Sequence, residues 1–505
     1  MQTITVKSIL DANKTYQYID NGEPMRGGVK DVYFSPDRKY VVAFYRKKLD
    51  FNQKERVRQI TTNYKDGIFN KTGGVFWKSI LCWPNDIVEH NGLTGIIVPC
   101  YDDKFFFKKG YANNDSLKGR EKDGKWFSSA KFRSLNSKAK LDDSELGNWL
   151  SYFQVCVNIA RGVKRLHSAG LAHSDLSNKN VLIDPVTGSA NIIDIDGLVV
   201  PKKYYAEVIG TAGYIAPEVL ATKHLNEKDP NRKLPERTTD LHALAVLIYE
   251  YLLYRHPLKG GKYYGQIDEV EEENFMMGSK ALFIEHPTDN SNRNFKREYG
   301  DNLEKFKPWT DLSKTPYTIT GPYLKELFEQ AFIKGLHNPI ERPTADTWEQ
   351  ALIKTTDLKL QCSNSKCEQK WFIYNNTKDT KCPFCGTKYA HSIPVIDLYF
   401  QFKNAWKLEN QRIVIHHNLT LQKWHINRNI IRNENLTAQE KESVGYFSFY
   451  NNKWVFVNQK LNNLKDVTEG KIIPLGGMVD ITDGKDLIFS ADEGGRRARI
   501  SIANI

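Results

Sequence analysis

The chain has 505 residues and a formal net charge of +12, a length that exceeds one compact core and points to about two to four domains. No apolar run reaches the roughly eighteen residues of a membrane span, and the N-terminus lacks a basic-then-apolar leader, so a cytoplasmic protein without a membrane segment is expected.

Residues 1 to 20 carry no distinctive pattern. Gly22-Glu-Pro-Met-Arg-Gly27-Gly28-Val-Lys-Asp-Val-Tyr-Phe34 then places a glycine-containing turn between two extended segments. Glycine leaves room and accepts unusual dihedrals, so amides of such a turn can approach phosphates, although glycine hairpins are also common without a ligand. In the strand that follows, alternation sends Val41, Ala43 and Tyr45 to one face. Residues 51 to 65 read as a helix, and Leu93 to Tyr101 as an apolar strand ending in proline. Between 104 and 140 lie eleven Lys and Arg residues. They read as a solvated basic insertion, in preference to a surface for an acidic partner or nucleic acid. Leu146, Leu150, Phe153, Val157 and Ala160 recur at helical spacing within 144 to 169.

The chain is organised around what comes next: HSDLSNKNVLID from His173, NIIDIDGL from Asn191, and GTAGYIAPE ending at Glu218. Asp175, Asn180 and Asp194 are polar groups against apolar surroundings. The runs beside them look like two short buried strands joined by the turn Asp184-Pro-Val-Thr-Gly188. A loop carboxylate, an amide five residues on, and a carboxylate ending the next strand can converge on one point. That is the minimum for phosphoryl transfer: one acid orients the attacking hydroxyl, while the amide and the second acid hold magnesium.

In order and spacing these stretches resemble the protein kinase pattern H-R-D-L-x-x-x-N, D-F-G and A-P-E. His173, Asp175 and Asn180 match the first motif, Asp194 the second (which here reads Asp-Ile-Asp), and Ala216-Pro217-Glu218 the third. The resemblance implies an α+β bilobal kinase fold over residues 20 to 355, with ATP and Mg2+ as cofactors and a serine or threonine of a protein as substrate. It assigns catalysis to Asp175, Asn180 and Asp194, and cofactor binding to Gly27, Gly28, Ala43, Lys179, Asn180 and Asp194. Leu93 to Tyr101 becomes the hinge that meets adenine, Thr211 faces Asp175, and Glu55 is the candidate acid for the strand lysine, with a plain surface glutamate as the equal alternative. That lysine is not evident. A bacterial subfamily register puts it at Ala43, a stricter one at Tyr45, and Lys47 is a third candidate on that face. In the favoured Ala43 register a phosphate-gripping cation is absent. Either the chain is a pseudokinase that binds nucleotide and docks partners, or a lysine has been replaced to silence it; the otherwise complete catalytic loop favours the second. Ser174 replaces the arginine of H-R-D, which puts activation by segment phosphorylation in doubt. Ser177 replaces a common lysine, and Lys179 lies four residues after Asp175.

Further on, residues 237 to 255 read as a long buried helix with Asp240 near its start, where kinases brace the catalytic loop. Gly335 to Trp348 resembles the close of a kinase C-lobe, where Arg342 would pair with Glu218. Cys362-x4-Cys367 and, fourteen residues later, Cys382-Pro-Phe-Cys385 form two cysteine pairs on separate turns, which can close a tetrahedron of thiolates around a structural zinc. Cys82, Cys100 and Cys156 are scattered and read as buried small hydrophobes. Residues 391 to 505 read as β-rich, with strands at 446 to 450, 454 to 457 and 487 to 490 and turns at Asn451-Asn452, Gly476-Gly477 and Asp483-Gly484. This stretch is similar to the second half of forkhead-associated domains, which are phosphothreonine-binding β-sandwiches, although a plain packing or docking module is the preferred reading of its role.

The expected organisation is a kinase N-lobe at 1–103, a basic insertion at 104–142, a kinase C-lobe at 143–356, a four-cysteine zinc ribbon at 357–392, and a β-rich forkhead-associated-like domain at 393–505. That order resembles the bacterial kinase of a tellurite-resistance-linked triad, whose associated proteins are a von Willebrand factor A protein and a metal-dependent protein phosphatase. The expected activity is that of a bacterial signalling serine/threonine kinase. A pseudokinase scaffold and a nucleic-acid-linked regulator are the alternatives.

Overall fold

A computed structural model describes residues 2–70, 73–201, 203–205, 208–226, 229–263, 265, 268–375 and 379–503. The chain divides into two compact units. One comprises Met1–Gly147, Gln154–Thr310 and Leu327–Glu349; the other comprises Asn148–Phe153, Asp311–Glu326 and Gln350–Ile505.

The first unit opens with an antiparallel ribbon, β1 (Gln2–Lys7) on β2 (Thr15–Asp20). A five-stranded antiparallel sheet follows: β3 (Met25–Arg26), β4 (Lys30–Phe34), β5 (Tyr40–Tyr45), β6 (Asp86–His90) and β7 (Leu93–Pro99), in the order β3-β4-β5-β7-β6. Alternation along β5 gives the sheet its two faces. Val42 and Phe44 pack with Val6, Tyr16 and Tyr18 of the ribbon. Ala43 and Tyr45 face the other way, with Ile96 and with Val57 of helix α1 (Phe51–Gln59). Helix α1 starts at a reciprocal cap, in which the Asp50 carboxylate accepts from the Gln53 amide and the Gln53 side chain accepts from the Asp50 amide.

Helix α2 (Trp149–Ser168) starts later than the sequence pattern predicts. Leu146 sits in a separate single turn, because Gly147 takes a φ of 61° that breaks the helical path. Strands β8 (Val181–Asp184) and β9 (Ser189–Ile192) form the buried hairpin expected from the sequence, and helix α3 (Arg237–Leu253) is buried along nearly its whole length.

The basic segment is not a solvated insertion. Phe105, Phe107, Leu117, Phe127 and Leu141 are buried, and the Ile183 amide of β8 donates to the Lys122 carbonyl at 3.0 Å. Lys122 is itself buried, with its ammonium 2.9 Å from Glu145 and 3.0 Å from Asp184. Lys109, Lys125 and Lys140 each meet an aspartate. The aromatic residues between the lysines pull the segment onto the protein, and local acids offset much of its charge.

In the second unit, short strands β10 (Lys359–Gln361) and β11 (Trp371–Ile373) pair beside the four-cysteine cluster. Beyond it, β12 (Ile393–Phe402), β13 (Ala405–Val414), β14 (Thr420–Gln422), β15 (Ser443–Tyr450), β16 (Lys453–Asn458), β17 (Lys465–Asp466), β18 (Lys471–Ile472), β19 (Met478–Ile481), β20 (Asp486–Ile488) and β21 (Arg496–Ala503) build two sheets. Their orders are β13-β12-β21-β20-β17-β18 and β14-β15-β16-β19. Residues of both sheets, among them Ile396, Leu398, Phe447, Phe456 and Ile500, form one buried cluster. Asn451 and Asn452 both take positive φ, 48° and 57°, as a two-residue hairpin turn between β15 and β16 requires.

Candidate active site

The β8–β9 hairpin does the first positioning. Val181 pairs with Ile192, and the Ile193 amide donates to the Asn180 carbonyl at 3.0 Å, so Asn180 and Asp194 are held side by side. The Asn180 side-chain amide donates to the Asp175 carbonyl at 2.8 Å and to the Asp175 carboxylate at 2.9 Å. This closes the loop and leaves the Asn180 side-chain oxygen as the acceptor of that group. The other Asp175 oxygen accepts from the Thr211 hydroxyl at 2.7 Å. Asp194 stands at φ 61°, turned out of the line of β9, with its side chain 44% exposed.

Behind the loop, Asp240 accepts from the backbone amides of His173 at 2.7 Å and Ser174 at 2.9 Å, and lies 3.0 Å from His167 Nε2. Ser174 has a φ of 67°, so this clamp holds a backbone conformation that a side chain ordinarily avoids. Asp240 is buried near the start of α3, which gives the loop a rigid base.

The opposite wall comes from the five-stranded sheet. A cleft of about 380 Å³ is lined by Gly27, Gly28, Asp175, Asn180 and Asp194, with Val32, Val41, Ala43, Ile96, Val98 and Tyr101 as its apolar part. Gly27 and Gly28 form the turn between β3 and β4, and the Arg46 guanidinium donates to both of their carbonyls. Ala43 lies opposite Val32 and presents only a methyl group to the cleft. Lys47 is exposed beyond the end of β5, and Lys179 is exposed; neither lines the cleft.

The cleft nevertheless contains a cation. Lys30 lies opposite Tyr45 in the β4–β5 pair, so the two side chains share a face. Its ammonium is 2.8 Å from Asp194 Oδ1 and 2.7 and 2.6 Å from the two oxygens of Asp196, and the Tyr45 hydroxyl donates to Asp196 as well. Burial raises the Asp194 carboxyl, but the Lys30 charge beside it prevails and holds it below the usual carboxylate range. Burial, then the Asp196 charge, keeps Tyr45 a neutral phenol. The sequence pattern offered one signal of this cluster, an aspartate where D-F-G has its glycine. Glu55 is not the partner acid. It is bound by Arg58 at 2.7 Å and Gln59 at 2.6 Å, one helical turn along α1. Its neighbour Arg56 is buried and lines the cleft, and its guanidinium donates to the Tyr205 carbonyl at 3.1 Å.

Glu218 and Arg342 meet through two parallel bonds of 2.8 and 2.7 Å. Gly27, Gly28, Ala43, Asp175, Asn180 and Asp194 thus line one cleft, and Glu218 and Arg342 pair outside its lining. The protein kinase domain family model matches residues 112–349.

Curated protein kinases are similar to parts of the chain. A dual serine/threonine and tyrosine protein kinase of Apis mellifera is 28% identical over 22% of this chain and 10% of its own length. The serine/threonine-protein kinase PSK1 of Saccharomyces cerevisiae is 29% identical over 23% of the chain and 8% of itself. The LRR receptor-like serine/threonine-protein kinase ERL2 of Arabidopsis thaliana is 25% identical over 43% of the chain and 18% of itself. The chain thus spans less than a fifth of the length of these relatives.

The second unit carries a separate cluster. The sulfurs of Cys362, Cys367, Cys382 and Cys385 lie within 4.8 Å of one another, with Cys362–Cys385 at 3.5 Å and Cys367–Cys382 at 3.8 Å. Zinc–sulfur bonds of about 2.3 Å in a tetrahedron set sulfurs about 3.8 Å apart, so the four thiols fit that ion.

Proposed function

We propose that this protein is an ATP-dependent bacterial signalling kinase that phosphorylates serine or threonine of a protein partner. The observation that carries the reading is the convergence of Asp175, Asn180 and Asp194 at one end of a cleft whose other wall holds the glycine turn. In the reaction the substrate hydroxyl oxygen bonds to the γ-phosphorus, the bond from that phosphorus to the bridging oxygen breaks, and ADP leaves. The hydroxyl proton passes to Asp175, whose carboxylate is oriented by Asn180 and Thr211. Mg2+, when bound, neutralises phosphate charge; the hard oxygens of Asn180 and Asp194 suit it. Gly27 and Gly28 bring backbone close to the phosphates, and Ala43 with its apolar neighbours forms the wall beside the nucleotide. Most of the rate enhancement comes from positioning and electrostatics.

The partition proposed is a kinase N-lobe at 1–103, the basic segment at 104–142, a C-lobe at 143–356, a zinc ribbon at 357–392 and a forkhead-associated-like β-sandwich at 393–505. Cys362, Cys367, Cys382 and Cys385 would hold a structural zinc, because four protein ligands leave no open position. The two sheets around one core in the last hundred residues support the sandwich reading. A von Willebrand factor A protein and a metal-dependent phosphatase are the proposed partners, in the cytoplasm.

The test uses the full chain with labelled ATP, Mg2+ and a library of serine-, threonine- and tyrosine-containing peptides. The expected result is label on serine or threonine, lost in Asp175→Asn. Absence of transfer, or label confined to tyrosine, contradicts the reading.

A further inference from the structure

Resting on the kinase reading above, we propose that Lys30 is the cation this cleft sets against the phosphates of the nucleotide, and that Asp196 is the carboxylate that holds it in place. The usual design carries the lysine on the strand that is β5 here and its acid on the helix that is α1. This chain has neither. Ala43 offers a methyl group, Tyr45 a phenol, and Glu55 is engaged on the helix surface by Arg58 and Gln59. The pair is rebuilt from the neighbouring strand and from the residues just after Asp194.

The geometry supports this assignment in three ways. Lys30 and Tyr45 are direct partners across β4 and β5, so the ammonium leaves the sheet on the face that a lysine at Tyr45 would use, displaced by one strand spacing of about 4.8 Å. The Lys30 side chain is only 13% exposed and lines the same cleft as Gly27, Gly28, Asp175 and Asn180, so its charge faces the site rather than the solvent. Finally, the two acids are unequal. Asp196 is 5% exposed, takes Lys30 through both oxygens and also takes the Tyr45 hydroxyl, so it is an anchor. Asp194 is 44% exposed and takes Lys30 through one oxygen at 2.8 Å. An ammonium has three N–H donors. A phosphate oxygen can replace Asp194 as an acceptor while Asp196 keeps its hold. The cation is then fixed by β4 and the Asp194–Gly197 segment, without passing through α1. Lys30 is on this account a catalytic residue and Asp196 a positioning residue.

The experiment measures kcat and KM for ATP in Mg2+-dependent phosphate transfer by the full chain and five variants. Lys30→Met is expected to lower kcat/KM by at least about 100-fold, the scale of losing one charge-stabilising donor. Glu55→Ala is expected to stay within about twofold of the unaltered chain. Asp196→Asn should lose at least about tenfold, mainly in kcat, and Asp196→Glu should recover part of that loss. Because Lys30→Met leaves two carboxylates without their cation and can impair folding, the fifth variant combines Lys30→Met with Ala43→Lys. It returns the ammonium to the cleft from the adjacent strand and should regain at least about tenfold over Lys30→Met alone. A structural role for Lys30 gives no such recovery. Transfer by Lys30→Met within threefold of the unaltered chain overturns the inference while the kinase reading stands. If Lys30→Met does not fold, failure of the double variant to transfer overturns the inference. No transfer by an unaltered chain that is folded and shows an ATP-dependent rise in Tm overturns the kinase reading itself, and this inference with it.

Discussion

Arg342 gives all five of its N–H donors to acceptors: both oxygens of Glu218 at 2.8 and 2.7 Å, and the carbonyls of Gly335, Thr238 and Leu336 at 2.9, 3.0 and 3.2 Å. Its side chain is 1% exposed and that of Glu218 21%, so the pair is largely removed from water. Removing one partner strands the other. Glu218→Ala is expected to destabilise the protein by about 3–5 kcal/mol, read as a fall in the denaturant midpoint at unchanged m-value. Replacing both residues by apolar ones should cost less than Glu218→Ala alone, and a double variant equally unstable would show that the ionic contact is not the cause.

Asp240 makes the second prediction. Its carboxylate satisfies two backbone amides, the buried one of His173 and the half-buried one of Ser174, and fixes Ser174 at φ 67°. Asp240→Ala should cost roughly 2–6 kcal/mol, because each of the two orphaned donors costs about 1–3. It should also reduce phosphate transfer when assayed well below its Tm, since Asp175 lies on the loop so released. Unchanged transfer would mean the loop holds its shape without the clamp.

The third concerns pH. His256 is fully buried, and its Nε2 lies 2.8 Å from the Gly213 carbonyl in the segment before Ala216-Pro217-Glu218. Burial, reinforced by the Lys259 charge, pushes the ring down to about 3 from an ordinary value of 6.5. The unfolded chain therefore binds a proton between pH 6.5 and 3 that the folded chain refuses. The stability this neutral ring contributes is fully present above pH 6.5 and is progressively lost as pH falls through that window. The difference in unfolding free energy between the unaltered chain and His256→Gln should narrow as pH falls from 7 to 4. A difference independent of pH would contradict the assignment.

The fourth is metal content. The purified chain is expected to hold about one zinc per molecule by elemental analysis, and the amount should fall sharply in Cys367→Ser. Because metal binding and folding of such a small module are coupled, chelation should lower the Tm of the second unit and expose Trp371 and Phe372 to proteolysis. Full stability in chelator with no zinc recovered would refute the site.

How much of this could be read from the chain follows from how each feature is encoded. Asp175, Asn180 and Asp194 are close in sequence and joined by a short hairpin, so their spacing implies their meeting. Arg342 and Glu218 are 124 residues apart, and their pairing was legible only through the kinase resemblance. Lys30 was missed because its role depends on the register of β4 against β5 and on an approach to Asp196 from 166 residues away, neither of which has a local pattern. Of the two readings of Glu55 the structure favours the surface glutamate, which Arg58 and Gln59, at i+3 and i+4, hold on the helix. The burial of Lys122 in the basic segment has no local signal: its charge is neutralised by Glu145 and Asp184, which lie outside residues 104 to 140. In the second unit the alternating aromatic strands and the Asn451-Asn452 turn were local signals, whereas the β12–β21 pairing joins residues about a hundred positions apart.

The most direct test of the whole account is single-turnover phosphate transfer from labelled ATP in Mg2+, with the unaltered chain and Asp194→Asn side by side. The account predicts transfer by the unaltered chain and a loss of at least about 100-fold in Asp194→Asn, with the peptide-bound label on serine or threonine. An unaltered chain that gains thermal stability from ATP yet transfers no phosphate would contradict it, and would leave a nucleotide-binding scaffold in place of an enzyme.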